Sequence, residues 1–139
     1  MIIGSPKELQ AGEKRVAMTP ASASQLLKLG FECIIETGAG VEAGFSDADY
    51  KAAGVKIIKT ASNLWKQSDV IIKVQAVNKV EEAYLNKDKT VISFFWPAQN
   101  KKLLDRVVSS GCSQIAIDMV PRISRAQKMD ALSSMANIA

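Results

Sequence analysis

The sequence contains no histidine. This absence excludes serine–histidine–aspartate triads and most zinc chemistries, which depend on an imidazole. It also removes the side chain that most often transfers protons near neutral pH. Any reaction that this chain supports must therefore proceed without a histidine acid or base, and the sequence predicts no metal site.

Cysteines are few as well. Cys33 and Cys112 lie in short apolar stretches and lack the spacing of a metal site, so we expect two reduced thiols in the core. The start, "MIIGSPKE", has a proline and charges where a signal peptide needs an apolar stretch. No stretch approaches the ~20 apolar residues that span a bilayer. We expect a soluble, cytoplasmic protein without direct membrane insertion.

Clusters of one charge are missing too. The 18 basic and 14 acidic residues give a net charge of +4, but they are scattered and form no basic run. The pattern is typical of an evenly solvated surface and predicts no nucleic-acid partner. At 139 residues, the chain is the size of one domain.

The chain does contain short apolar runs at regular intervals. Their length and β-branched content predict buried strands. The runs are Met1–Gly4, Cys33–Ile35, Val55–Ile58, Val70–Val74, Val91–Phe95 and Gln114–Ile117.

Helix signals lie between these runs. Thr19 precedes Pro20, a pair typical of a helix start, and that helix should end at Gly30. Ser46 and Asn100 are further predicted caps, and shorter helices are expected over Ala61–Gln67 and Val80–Leu85. Alternating strands and helices predict an α/β fold with a doubly wound, mainly parallel sheet, a Rossmann-like or flavodoxin-like three-layer sandwich. Ligands of such folds bind at the loops that follow the strands.

A glycine-rich segment, "GAGVEAG" over residues 38–44, follows the second run and resembles a dinucleotide-binding loop. Its spacing is one residue too long, and a new helix cap at Ser46 follows it. A dinucleotide loop would run directly into an apolar helix. We interpret the segment as a turn that needs glycine.

Two cations fall near the predicted ligand edge. Arg15 lies in "EKRVAMTP", where surface charge before a helix is the simpler interpretation. Lys73 ends the strand-like "DVIIKV", where an unpaired ammonium would be costly. It either reaches solvent or faces an acidic or carbonyl partner, and the sequence leaves both possible. In "SFFWPAQN", two of Phe94, Phe95 and Trp96 are expected in the core.

The last twenty residues carry the densest set of polar side chains. Gln127, Asp130 and Ser133 recur at steps of three, so neighbouring members share a helical stripe after the bend at Pro121-Arg122. The pattern fits an ordinary solvated face. An Arg122–Asp130 ion pair with an adjacent carboxamide, an arrangement that could bind a polar ring, is the alternative, and from the residues alone the solvated face is the simpler interpretation.

These segments together resemble a known family. "EKRVAMTP", "LLKLGF", "ETGAG", "AGFSDADY", "VIIKV", "SFFWPAQN" and "VPRISRAQKMDALSSMANIA" are similar, in order, to blocks of the NAD(H)-binding component, the alpha subunit, of proton-translocating NAD(P) transhydrogenases. The blocks are long and collinear and cover nearly the whole chain.

The resemblance implies hydride transfer from NADH to NADP, coupled to proton translocation. Residues 1–139 would form the first of two Rossmann-like domains and end within the helix that crosses between them, while the glycine-rich NAD-binding domain is absent. Arg122, Gln127 and Asp130 would orient the nicotinamide and its ribose, with Ser133 nearby. NADP(H) would bind a separate component beside a membrane component, and the complete protein would be a homodimer on the cytoplasmic face of the inner membrane. The chain alone is expected to be inactive.

The same blocks also resemble alanine dehydrogenase. There, residues matching Arg15 and Lys73 hold a keto-acid, and a histidine near the "SFFWPAQN" position handles protons. This chain has Trp96 and Pro97 at that place, so the substrate domain of such a dehydrogenase ranks second. A non-catalytic flavodoxin-like binding module ranks third, because Gly4-Ser5-Pro6 lacks the acids that a magnesium-binding receiver needs.

Overall fold

A computed structural model describes residues 1–119, and a six-stranded sheet runs through its centre. Every pair of neighbouring strands is parallel. The strands are β1 (Ile2–Ser5), β2 (Glu32–Glu36), β3 (Lys56–Ile58), β4 (Val70–Ile72), β5 (Thr90–Ser93) and β6 (Ser113–Ala116). Each lies within a residue or two of an apolar run that predicted it.

The strand order is β3-β2-β1-β4-β5-β6. The predicted α/β doubly wound class is therefore confirmed, and the order is the Rossmann one, which differs from the flavodoxin order 2-1-3-4-5. Periodicity could not distinguish these two arrangements, because it predicts strands and not their neighbours.

Four α-helices connect the strands: α1 (Pro20–Lys28), α2 (Asp47–Ala52), α3 (Ala61–Gln67) and α4 (Lys101–Ser110). Thr19 and Ser46 each form a reciprocal capping box at the start of their helix, as their positions predicted. Asn100 is also the N-cap residue of its helix, as predicted, but it makes no capping hydrogen bond. Its side chain does not cap α4; it donates to the carbonyl oxygens of Phe95 and Trp96 instead. No helix within residues 1–119 is long and apolar enough to cross a membrane.

The helices cover both faces of the sheet, so the domain has two hydrophobic clusters. Alternate strand residues point to opposite faces. Cys33 and Ile35 pack with α1 and α2 on one face, whereas Ile34 packs with α3 and α4 on the other. Both cysteines are buried and unpaired, as predicted.

Two elements end earlier than the sequence indicated, for one physical reason. β4 ends at Ile72: the N–H of Lys73 still donates to Ile92 of β5, but those of Val74 and Gln75 donate to the carboxylate of Glu8 instead. Similarly, β5 ends at Ser93, and the N–H of Phe95 donates to Asp118. The helix expected over residues 80–85 is a single 3-10 turn, Glu81–Tyr84.

Candidate functional site

The strand order reverses between β1 and β4, and this reversal opens a crevice at the carboxyl edge of the sheet. The loops that follow these two strands meet there, since Glu8 of the first contacts Lys73 and Gln75 of the second. Several polar side chains are buried at this point. Within the described residues, this crevice is the best-supported place for a ligand site.

Lys73 lies in the crevice as a buried cation. Its Nζ atom is 3.3 Å from Oε1 of Glu8 and 3.1 Å from Oε1 of Glu81. The side chains of the lysine and the two glutamates are 1%, 3% and 2% exposed. Of the two possibilities that the sequence left open, Lys73 therefore has an acidic partner, and in fact two.

The two glutamates also fix the backbone around this buried ion cluster, Glu8–Lys73–Glu81. Glu8 accepts the N–H groups of Val74 and Gln75, each at 3.0 Å, and Glu81 accepts the N–H of Asn78 at 3.1 Å. Burial raises the pKa of Glu81, and the ammonium of Lys73 offsets part of that rise. Because two carboxylates face one ammonium, Lys73 has little positive potential left to offer an anionic ligand.

Arg15 is anchored beside the cluster. Its N–H and Nε donate to Oε1 of Glu13 at 2.9 and 2.8 Å, and its Nη2 donates to Oε2 at 2.8 Å. The side-chain amide of Gln75 donates to the same Oε2 at 2.6 Å. This bond connects the loop that carries Glu13 and Arg15 to the loop after β4. The charge that sequence reasoning assigned to the surface therefore organises the rim of the crevice.

Glu13 should stabilise the folded protein at neutral pH and lose this effect in acid. The hydrogen bond from Arg15 lowers its pKa from 4.5 to about 2, against an opposing effect of burial. Because the folded pKa lies below the unfolded one, this stability is present above pH 4.5 and is lost as the pH falls towards 2. We expect Glu13→Gln to lower the free energy of unfolding at pH 7 by on the order of 1 kcal/mol, a value reduced by the solvent screening of Arg15.

Urea unfolding of both proteins between pH 7 and pH 2.5 measures this difference, which should shrink over the acid range. The exposed Glu42→Gln is the matched control and should change stability little at any pH. A Glu13→Gln effect that stays constant with pH would contradict the assignment.

Cavities lie on both sides of Lys73. One, of about 380 Å³, is lined by Gln10, Gln75 and Asn78 among others. The second, of about 460 Å³, has Arg15 at its rim and a largely apolar wall that includes Ile72, Ile92 and Phe94. An apolar wall with a few polar groups at the edge suits a planar ring that carries a polar substituent. Residues 1–119 contain no group of acidic or cysteine side chains that could hold a metal ion.

The loop after β5 borders the second cavity and differs from expectation. Only Phe95 is fully buried; Phe94 is partly buried, and Trp96 is 39% exposed. The prediction of two core aromatics is therefore wrong. The physical reason is the backbone of Trp96, whose φ of 52° turns the chain away from the sheet.

The glycine-rich segment is a closed turn, as predicted. Gly38 and Gly44 have φ values of 76° and 92°, which favour glycine. The N–H of Gly38 donates to Asp47, and those of Ala39, Val41 and residues 43–45 donate to nearby carbonyls. These amides are already used, so the segment does not offer a phosphate cradle.

The predicted site residues Arg122, Gln127, Asp130 and Ser133 lie outside the described residues, so their roles stay predictions. Sequence reasoning gave no role to four acidic residues: Glu8, Glu13, Glu81 and Asp118. The positions of Glu8 and Glu13 in the loop after β1 could have suggested the first two. The spacing of Asn78 and Glu81, whose side chains each accept the backbone N–H of the other, is a local capping signal that could have indicated Glu81. Nothing local indicates Asp118, because its partners lie 22 and 23 residues away along the chain.

Comparison with known proteins gives a consistent result. The family described as alanine dehydrogenase/PNT, N-terminal domain, matches residues 4–139. The NAD(P) transhydrogenase subunit alpha of Cereibacter sphaeroides is 58% identical over 139 residues, all of this chain and 27% of that protein. The chain thus spans about a quarter of that relative.

Solved structures agree with the sequence relatives. The crystal structure of transhydrogenase from Sinorhizobium meliloti superposes with a TM-score of 0.93 at 35% identity and covers 99% of this chain and 41% of its own. An L-alanine dehydrogenase superposes with a TM-score of 0.85 at 31% identity, over 90% of this chain and 34% of its own. The same domain therefore occurs in both enzymes.

Proposed function

The chain belongs to the alanine dehydrogenase/PNT N-terminal domain family, and we propose that it works as the leading domain of an NAD(P) transhydrogenase alpha subunit. The observation that carries the proposal is the 58% identity with the Cereibacter sphaeroides subunit across all 139 residues. In the complete protein, hydride would pass from NADH to NADP, and the transfer would be coupled to proton translocation.

The crevice fits one end of NAD(H) and not the other. The apolar wall with Ile72, Ile92 and Phe94 suits the nicotinamide ring, and it would exclude water from the transfer. In the glycine-rich turn over residues 38–44, most backbone amides already donate within the protein, so this turn does not offer a cradle for the pyrophosphate. We therefore assign the main nucleotide cradle to a second domain that follows this one in the complete protein.

The closing segment supplies the polar contacts in this proposal. Arg122, Gln127 and Asp130 would bind and orient the nicotinamide and its ribose, with Ser133 nearby. When NAD(H) is bound, it supplies the hydride, and a hydride acceptor must be held at near-attack distance. Such a transfer needs no protein acid or base at the reacting carbon, which agrees with a chain that has no histidine.

The partners follow from the same proposal. A separate component would bind NADP(H), and a membrane component would move protons. The complete alpha subunit would be a homodimer on the cytoplasmic face of the inner membrane, held there through its partners. This chain would contribute two parts of the NAD(H) site: the apolar wall and the polar segment that contacts the nicotinamide ring.

The alanine dehydrogenase alternative has less support. It needs a cation available for a keto-acid carboxylate, yet the ammonium of Lys73 is shared between Glu8 and Glu81. It also needs a proton carrier near Trp96, where no histidine is present. Adding pyruvate, ammonia and NADH to the full-length protein tests this alternative directly, and we expect no oxidation of NADH.

Asp130→Asn in the complete alpha subunit, assayed together with its partner subunits, tests the proposal. We expect hydride transfer to slow by roughly 10-fold or more, with a smaller change in NADH affinity, because the carboxylate orients the ring and the remaining contacts hold the nucleotide. Steady-state transfer assays and calorimetric titration of NADH measure the two effects. Equal losses in both would make Asp130 a binding residue only.

The 139-residue chain provides a second test. We expect it to bind NADH only weakly and to show no hydride transfer, because the nucleotide cradle is assigned to the second domain. Isothermal titration decides this point. Micromolar NADH affinity from this chain alone would contradict the division of labour between the two domains.

A further inference from the structure

Trp96 has a backbone conformation that bulky residues rarely adopt. Its φ of 52° lies in the left-handed region, and Trp96 is the one residue other than glycine with positive φ within residues 1–119. A residue with a Cβ loses about 1–2 kcal/mol there. Such strain persists only where the surrounding contacts determine the backbone, and it concentrates at functional sites.

Asp118 supplies those contacts. Its Oδ1 accepts the N–H of Phe95 at 2.6 Å, and its Oδ2 accepts the N–H of Trp96 at 2.9 Å. Successive N–H groups that converge in this way form a concave anion site, and charge-assisted bonds are stronger than neutral ones. Here the anion is a side chain of the same protein, 22 residues away along the chain.

The carbonyl groups of the same two residues are held as well. The side-chain amide of Asn100 donates to the oxygen of Phe95 at 2.6 Å and to that of Trp96 at 3.3 Å. Asp118 and Asn100 therefore hold both backbone polar groups of both residues. The left-handed turn depends on two side chains from separate elements, the 3-10 turn Ile117–Met119 and the start of α4.

This turn sets the position of two aromatic rings. The rings of Phe94 and Trp96 are stacked, with centroids 5.9 Å apart and planes 7° from parallel. Phe94 lines the 460 Å³ cavity to which we assign the nicotinamide. Trp96, Asp118 and Met119 line a neighbouring cavity of about 200 Å³. The carboxylate of Asp118 thus determines where the aromatic wall of the crevice stands.

We propose that Asp118 is a positioning residue for hydride transfer: through the backbone of Phe95 and Trp96 it holds the Phe94–Trp96 pair against the crevice. The inference rests on the proposed function. Asp118 acts through the aromatic pair that borders the cavity assigned to the ring, without touching the reacting atoms.

The experiment uses the complete alpha subunit with its partner subunits and compares Asp118→Ala, Asp118→Asn and Asp118→Glu with wild type. Displacing a reacting group by about 1 Å can slow its transfer reaction by about two orders of magnitude. We therefore expect Asp118→Ala to lower kcat by roughly 10–100-fold. The KM and Kd for NADH should change less than about 3-fold, because the nucleotide cradle is elsewhere. Asp118→Glu keeps the carboxylate and should recover part of kcat.

Two controls separate positioning from folding. Asp105→Asn alters an exposed carboxylate on α4 and should leave kcat unchanged. Asp118→Asn keeps the side-chain shape and one acceptor; if Asp118→Ala fails to fold, this variant carries the test and should show the same kcat-selective loss. Trp96→Gly relieves the left-handed strain, so removing Asp118 should lower the thermal midpoint less in that background than in wild type.

The possible failures are distinguishable. A wild-type protein without hydride transfer overturns the proposed function and this inference with it. Transfer in wild type with kcat of Asp118→Ala and Asp118→Asn within about 2-fold of it overturns only the inference. With kcat referred to the concentration of folded, NADH-binding protein, a parallel loss of kcat and NADH affinity also overturns it, because Asp118 would then support binding and not the positioning of the reacting groups.

Discussion

Lys73→Met will destabilise the protein by about 3–5 kcal/mol at pH 7, because it leaves Glu8 and Glu81 buried without their cation. The side chains of these glutamates are 3% and 2% exposed, so water cannot replace the ammonium. Methionine is similar to the lysine stem in length, which keeps any cavity small. Urea unfolding followed by circular dichroism measures the change. It is the largest effect that we expect from a single substitution.

The pH dependence identifies the cause. Burial already raises the pKa of Glu81, and loss of Lys73 removes the interaction that lowers it. The pKa of Glu81 is then higher in the folded state than in the unfolded state. Its contribution to the free energy of unfolding is therefore complete below the unfolded pKa. That contribution is lost as the pH rises through the folded pKa. The deficit of Lys73→Met should therefore be largest near pH 7 and shrink towards pH 4.5.

Two further variants control for packing. Adding Glu81→Gln to Lys73→Met should recover part of the loss, since one uncompensated carboxylate disappears. Lys102→Met replaces an exposed lysine on α4 and should change stability by less than about 0.5 kcal/mol. A Lys73→Met deficit no larger than that of Lys102→Met would show that the ion cluster is not formed.

Gly4→Ala should also lower the free energy of unfolding by a large amount. A Cβ at Gly4 would lie 2.0 Å from Oγ of Ser68 and 3.3 Å from Cδ2 of Leu64. Ser68 is buried, and its hydroxyl donates to the carbonyl of Leu64 at 2.7 Å, so it cannot move without losing that bond. We expect a loss of about 1–3 kcal/mol from overpacking, measured by urea unfolding.

A double-mutant cycle tests the contact itself. Ser68→Ala alone should cost about 1 kcal/mol for its hydrogen bond. In that background the nearest side-chain atom to the new methyl group is Cβ of residue 68 at 3.1 Å, so Gly4→Ala should lower the free energy of unfolding by less. Ser109→Ala, an exposed serine on α4, is the control and should show no coupling. Additive losses for the Gly4 and Ser68 variants would contradict the close approach of α3 to β1.

Much of the fold could be predicted from local signals. Thr19 and Ser46 cap the helices that they were expected to cap, and α3 has the predicted bounds of Ala61–Gln67. Strand positions followed from apolar runs, since burial on both faces requires them in a parallel sheet. The 3-10 turn near Glu81 and the role of Asn100 were missed although their partners are local: Glu81 exchanges hydrogen bonds with Asn78, and Asn100 donates to residues four and five positions earlier. Propensity alone does not decide whether such a side chain caps an α-helix or a shorter turn.

The candidate site was less predictable. Lys73 was recognisable as unusual, because a strand should not end in an unpaired ammonium. Its partner Glu8 lies 65 residues away, and no local pattern connects the two. The exposed position of Trp96 was also unpredictable, since its backbone is held by Asp118, 22 residues further on. The polar residues after Met119 were identified from the sequence alone.

The sequence by itself determined the elements of this protein: the apolar runs, the helix caps, the glycine turns and the family to which the chain belongs. Only the tertiary structure decided that β1 lies beside β4, which brings Glu8 to Lys73 and Gly4 to Ser68. The reason is the range of the interactions. Capping and backbone preference act over a few residues, whereas burial and ion pairing depend on which strands become neighbours, and that choice is made by the whole chain.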